Sequence, residues 1–380
     1  MSLAHSERVA DCIRQAIDAA GGSISFAEFM QLALYAPGLG YYSAGTAKFG
    51  VSGDFVTAPE TSRLFGRVLA RQCAPVLRAL PEQCIVEIGA GTGSLAAEML
   101  KTLARLGVEV TRYAILEISP DLRQRQEVLV REEVPELASR VEWLDALPDT
   151  FTGIALANEV ADALPVERFQ KIGNRIIQYR VTVDGDGFSW LPGPAPEFLG
   201  QAVLHIEDTL GASLPDGYVS EVSTGMAAWI GDIAARIERG FVFLFDYGVT
   251  RREYYAADRN EGWLRCHFRH HAHNDPLIYP GIQDLSTWVD FTSVAEGATD
   301  AGMDVAGFVT QAQFLLHGGL ETELADFERQ PIAVQVELSR QVKMLTLPGE
   351  MGEHFKCMGL SRNQGITPRS FAAFDRTHTL

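Results

Sequence analysis

Surplus positive charge, paired cysteine motifs and long apolar runs are all missing from this chain of 380 residues. Lysine and arginine number 32 against 49 aspartates and glutamates, a formal net charge of −17. With no basic excess to neutralise phosphates, sequence-independent binding to nucleic acid is not expected. The acidic balance suits a basic protein or peptide partner instead. Cys12, Cys73, Cys84, Cys266 and Cys357 lack C-x-x-C spacing, so they read as free thiols in a reducing compartment. No apolar stretch approaches the roughly 20 residues of a membrane span. The first residues offer no signal-peptide core and carry acids that transit peptides avoid. A cytoplasmic protein is expected. Repeats and low-complexity tracts are also absent.

What is present begins with Cys84-Ile85-Val86-Glu87-Ile88-Gly89-Ala90-Gly91-Thr92-Gly93-Ser94-Leu95. A short apolar run ends in an acid, three glycines follow at every second position, and an alanine- and leucine-rich helical pattern begins. This is a buried strand turning tightly into a helix, with backbone exposed where side chains would block a ligand. The next apolar run, Tyr113 to Ser119, carries a second acid, Glu117, followed by Ile118, where a ribose would sit. Dinucleotide folds use G-x-G-x-x-G to admit a pyrophosphate. Here Glu87 precedes E-x-G-x-G-x-G, and a carboxylate there suits a ligand bearing an ammonium group. S-Adenosyl-L-methionine has that amine, a sulfonium and no phosphate, and is the expected cofactor. A nicotinamide dehydrogenase fits poorly, because the third glycine is misplaced. Taken alone, the glycines would describe only an ordinary strand–helix turn.

A β/α alternation surrounds this loop. Strands are read at 84–89, 113–118, 141–145 and 153–158, with helices at 93–106 and 120–133, which argues for an α/β fold with a parallel sheet. Ser119-Pro120 supplies a helix N-cap and first-turn proline. Residues 175–183 and the Asp184-to-Gly187 turn read as an inserted antiparallel hairpin. The alternation is read to resume at Tyr218–Val222, a helix at 225–238 and the strand Phe241–Asp246. Two late strands are read near 305–314 and 354–361. Residues 1–80 are read as a helical extension, including a helix from Pro59 to about Ala79. The core then spans 81–380, with insertions at about 166–215 and 250–290.

Acids fall at strand ends. Asp145, flanked by Leu144 and Ala146, could accept a hydrogen bond from an adenine amine. Asn158, Glu159 and Asp162 supply an amide and two carboxylates beside the expected methyl donor, and Glu221 and Asp246 are read at matching edges. Carboxylates can orient a guanidinium by bidentate hydrogen bonds. Any one of these acids could instead cap a helix or join a structural ion pair. His267, His270, His271 and His273 invite a metal reading, but the Asn-Asp-Pro that follows is a loop signal and methyl transfer needs no metal. None is expected.

Several stretches, taken together, are similar to one family: Gly53-Asp54-Phe55-Val56-Thr57-Ala58-Pro59-Glu60, the Glu87–Gly93 loop, Asn158-Glu159-x-x-Asp162-Ala163-Leu164-Pro165, Asp246-Tyr247-Gly248 and Pro280-Gly281-x-x-Asp284-Leu285 with Val289-Asp290-Phe291. The chain resembles the MidA family of S-adenosylmethionine-dependent methyltransferases. The resemblance implies a class I methyltransferase core, with seven strands ending in an antiparallel pair. It also implies an N-terminal extension over the cofactor, to which Gly53, Asp54 and Phe55 would contribute, and methylation of an arginine on a partner protein of the complex I type. Two other readings stay open: a non-catalytic assembly factor that keeps the cofactor, and a small-molecule methyltransferase using Tyr35, Tyr41, Tyr42 and Tyr247 as pocket walls.

Overall fold

The computed structural model describes residues 2–44, 58–269 and 271–380. Seven strands form the main path of its core sheet: β1 (Cys84–Ile88), β2 (Arg112–Leu116), β3 (Val141–Leu144), β4 (Phe151–Asn158), β5 (Ile237–Val249), β6 (Asp304–Thr310) and β7 (Phe355–Arg362). They lie in the order β3–β2–β1–β4–β5–β7–β6, and Val289–Asp290 pairs beside the end of β5 as an eighth, short strand. β7 runs against both neighbours, and the other pairs are parallel. The chain order therefore turns back between β1 and β4, the kind of point where open α/β sheets bind ligands.

The sheet is covered on both faces, which is why its strands read as near-continuous apolar runs. Alternation along each strand divides them. Ile85, Tyr113, Ile154, Phe241, Phe243 and Phe245 join one core with helices Arg63–Ala79 and Ser94–Arg105. Val86, Ala114, Ala155, Val242 and Leu244 join the other with helices Met226–Arg236 and Phe291–Asp300.

A second layer stands over the carboxyl edge of the core sheet. Its strands Ile24–Ser25, Glu167–Ile172, Arg175–Asp184, Gly187–Pro194 and Val219–Val222 are antiparallel throughout. Helices Leu3–Ala19 and Phe26–Tyr35 pack on this sheet and on residues 264–285 through Ile13, Phe29, Val181, Cys266 and Leu285. Ser25 caps the second helix, its Oγ accepting from the Glu28 amide at 3.1 Å.

The inserted hairpin is present, but three sequence expectations need correction. Val219–Val222 belongs to the inserted sheet, paired with Glu167–Gln170, and not to the core. A run of alternating residues does not specify its sheet, and the insertion ends later than 215. The helix expected from Pro59 to Ala79 breaks at Ser62, whose Oγ caps Leu64 at 3.1 Å and donates to Gln341 Oε1 at 2.7 Å. Its second part, Arg63–Ala79, packs into the main core, with Phe65 edge-on to Phe245 at 5.0 Å, so the extension ends before it. His267 and His271 lie on neighbouring antiparallel strands, opposite Ala272 and Phe268 respectively.

Candidate functional site

A cleft of about 830 Å³ opens where β1 and β4 diverge, lined on one side by helix Phe26–Tyr35 and the turn that follows it. The cofactor loop forms its floor. Gly89, Gly91 and Gly93 all take positive φ, at 69°, 55° and 88°. Only glycine adopts such backbone without strain, which is why the chain spaces three of them here. They do different work. A Cβ on Gly89 would come within 3.2 Å of Val160 Cγ2, and one on Gly93 within 3.2 Å of Gln126 Cγ. One on Gly91 would meet nothing within 4 Å, because it would point into the cleft.

Two acids face this floor from adjacent strands. Glu87, 3% exposed, accepts a hydrogen bond from the Tyr113 hydroxyl at 2.7 Å. Burial pushes its carboxyl up to about 7; the Tyr113 bond opposes the shift and the nearby Glu117 adds to it. Glu117 accepts from the Ser119 amide at 2.9 Å and from Gln126 Nε2 at 3.0 Å. Beside it Ile118 is 53% exposed, an apolar surface turned into the cleft.

The far wall begins at the end of β4. Glu159 has φ of +55°, a left-handed backbone that a glutamate adopts only under constraint. Its carboxyl accepts from the Ala58 amide at 3.3 Å and from Asn158 Nδ2 at 3.1 Å, while the buried Asn158 Oδ1 has no partner among the described residues. The constraint comes from Asp246, at the matching position of β5. Its Oδ2 accepts the amides of Val160, Ala161 and Asp162 at 3.2, 2.8 and 3.1 Å, and Oδ1 accepts that of Tyr247 at 2.9 Å. Burial, followed by repulsion from Asp162, raises the Glu159 carboxyl to about 8. Asp246 is raised by burial and by Glu159, and Asp162 by burial, Asp246 and Asp284. Asp284 accepts from the Tyr42 hydroxyl at 2.8 Å, and the Tyr35 hydroxyl donates to the Ala163 carbonyl at 3.0 Å. Both tyrosines therefore present ring surface to the cleft.

Not every expected residue reaches it. Gly89, Gly91, Glu87, Glu117, Ile118, Asn158 and Glu159 line the cleft. Gly93 is the N-cap of helix Ser94–Arg105, one step behind the wall. Asp162 and Asp246 sit behind the wall, the first through its charge and the second through its backbone contacts. Asp145 does not enter: its side chain is 94% exposed and paired with Arg123 at 2.7 Å, and Ala146 lies outside the lining with it. An acid one residue past a short strand is free to turn outward toward a neighbouring arginine. Glu221 is also displaced, fully buried in the inserted sheet between Arg168 and the Trp263 amide. Gly53, Asp54 and Phe55 lie outside the described residues. Among the described residues no three His, Cys, Asp or Glu side chains converge to hold a metal. Sequence reading missed Gln126 and Trp229 and named Asp284 only within the family motif; Gln126 had a signal, since it shares an inward helix face with Leu122 and Val130.

The charge of the lining decides what it can hold. Glu60, Glu87, Glu117 and Glu159 face the cleft, and among the described residues no lysine, arginine or histidine does. A diphosphate would find no cationic side chain among them. A cationic nucleoside fits, with backbone open at Gly91 and carboxylates for an amine and for ribose hydroxyls. The raised carboxyls also set a pH dependence. Glu87 and Glu159 hold protons in the folded state up to about 7 and about 8, whereas unfolded glutamates release them near 4.3. Between those limits the native state binds more protons, so stability is expected to fall as pH rises from about 4.5 to about 8 and then level off. Thermal melting of the ligand-free protein across that range should show the decline, and Glu159→Gln should flatten it. A profile rising through the same window would contradict the assignment.

Known proteins agree with this geometry. A family profile described as "Putative S-adenosyl-L-methionine-dependent methyltransferase" matches residues 68–309. A Burkholderia thailandensis protein crystallised with S-adenosyl-homocysteine superposes with a TM-score of 0.94 at 41% identity, covering 100% of this chain and 98% of that one. The mitochondrial protein arginine methyltransferase NDUFAF7 of Danio rerio is 28% identical, over 92% of this chain and 86% of its own. The Drosophila melanogaster homologue of NDUFAF7 is 29% identical, over 89% and 82%. The cofactor is S-adenosyl-L-methionine. By profile, structure and cleft, the chain belongs to this family of S-adenosyl-L-methionine-dependent methyltransferases, the one its sequence motifs resemble.

Proposed function

We propose that the chain methylates a guanidinium nitrogen of an arginine on a partner protein. The observation that carries this reading is Glu159, held in a left-handed backbone at the cleft wall with Asp162, Asp246 and Asp284 behind it and, among the described residues, no cationic side chain lining the cleft. Such a wall suits a planar cation that can donate two hydrogen bonds to a carboxylate. The relatives named protein arginine methyltransferases support the same acceptor. When bound, S-adenosyl-L-methionine supplies an electrophilic methyl on its sulfonium. Glu87 would hold its amine, Glu117 its ribose, and Ile118 the adenine face. Glu159 orients the guanidinium, whose positive charge favours the ionised form of a carboxyl that burial raises to about 8 in the ligand-free protein. Asn158 fixes the Glu159 oxygen through its amide.

Incubating the protein with methyl-labelled cofactor and a lysate lacking its own copy should label a protein band, and digestion should place the label on arginine. Glu159→Gln should reduce labelling on the order of 100-fold with cofactor binding retained. Label confined to small molecules would favour a metabolite acceptor, for which the Tyr35 and Tyr42 rings, stacked at 5.6 Å, could serve as walls. Cofactor binding with no label anywhere would point to a non-catalytic assembly factor.

A further inference from the structure

Gln126 is fully buried beneath the cofactor loop and makes three hydrogen bonds to three different elements. Its Nε2 donates to the Gly91 carbonyl at 2.9 Å and to Glu117 Oε2 at 3.0 Å. Its Oε1 accepts from the Trp143 indole at 2.9 Å. Trp143 lies on β3, Gly91 follows β1 and Glu117 follows β2. One amide therefore ties the ends of three adjacent strands together. We propose that Gln126 is a positioning residue for the cofactor, fixing both the tilt of the Gly91 peptide and the rotamer of the Glu117 carboxylate.

The chemistry explains why the residue is an amide. The side chain must donate twice, to a carbonyl and a carboxylate, and accept once, from an indole. Glutamine does all three, and no other uncharged side chain of that length does. A carboxylate in its place would repel Glu117, and a lysine or arginine would add a positive charge beneath a cleft whose described lining carries none. Glu117 Oε1 is bound by the Ser119 amide, so the two bonds together set the carboxylate plane. Packing points the same way: a Cβ at Gly93 would press on Gln126 Cγ at 3.2 Å and on its Cα at 3.4 Å. Gly93 therefore permits the approach that the hydrogen bonds require. Arg123 braces the same region from outside, its Nε donating to the Glu117 carbonyl at 2.7 Å.

This role rests on the cofactor assignment, and its test separates the two. Gln126→Met keeps volume and apolar packing but removes both donors. Gln126→Asn keeps the amide but shortens its reach. Trp143→Phe removes the indole donor and leaves both Gln126 donors in place. Titration calorimetry with S-adenosyl-homocysteine is expected to show affinity reduced at least about tenfold in both Gln126 variants and by less than about threefold in Trp143→Phe. Melting temperatures are expected to group differently, with Trp143→Phe and Gln126→Met lowered together. Binding by Gln126→Met within threefold of wild type would overturn the positioning role, as would losses that track melting temperature across all three variants. Should Gln126→Met not fold, unchanged affinity in Gln126→Asn would overturn it. A wild-type protein that binds no S-adenosyl-homocysteine would instead bring down the cofactor site itself.

Discussion

Gly91→Val should abolish cofactor binding while leaving the protein folded. Gly91 sits at φ of +55°, where a β-branched residue is strained by about 1–3 kcal/mol. That cost is tolerable in a chain of this size, and nothing within 4 Å opposes the new Cβ. The two added methyl groups enter the cleft instead, at the point where backbone must approach the ligand. Calorimetry with S-adenosyl-homocysteine should therefore register no binding, a loss of at least ~1,000-fold, which corresponds to about 4 kcal/mol. Gly91→Ala should lose less, since it bears the strain but fills little space. Valine at Gly89 or Gly93 should behave in the opposite order, losing stability first, because both would press on neighbouring side chains. If Gly91→Val bound within tenfold of wild type, the cleft would not be the cofactor site.

Asp246→Ala is expected to produce the largest stability loss of any single change near the cleft. Four backbone amides converge on this carboxylate. Removing it leaves them in a space where each unsatisfied buried donor costs about 1–3 kcal/mol. Relief of the repulsion with Glu159 and Asp162 offsets part of that. A net loss of roughly 3 kcal/mol is expected from urea titration at neutral pH. Glu159 should then leave its left-handed backbone, since the amides that follow it are no longer held, and methyl transfer should fall with it. Cofactor affinity should change little, because Glu87, Gly91 and Glu117 lie on or just after other strands. Asp246→Asn retains one oxygen for the three amides of residues 160–162 and should recover much of the stability. An alanine variant as stable and as active as wild type would show that Asp246 holds nothing in place.

The sequence made some of this legible and hid the rest for identifiable reasons. The Glu87–Gly93 loop was readable because an apolar run, an acid and three alternating glycines have few other physical explanations. Glu117 and Glu159 followed from their positions at strand ends. Asp145 has the same local pattern but turns outward to Arg123, an arginine six residues beyond Glu117 whose direction no local signal gives. Glu221 failed one level higher: its strand was recognised, but an alternating run pairs as readily with the inserted sheet as with the core. Asp246 was found as a site residue, yet its part in holding residues 160–162 depends on tertiary contact. Gln126 was passed over because a glutamine within a helix reads as a solvated polar residue.

Among the described residues the charged groups that line the cleft are all carboxyls, and this has a consequence for turnover. Methyl transfer removes the positive charge from the ligand's sulfur, while Glu60, Glu87, Glu117 and Glu159 keep their places around it. Electrostatic attraction is therefore greatest before the reaction and weaker after it. The spent nucleoside is easier to eject than the fresh one, and the wall that captures the donor also discriminates against its own product.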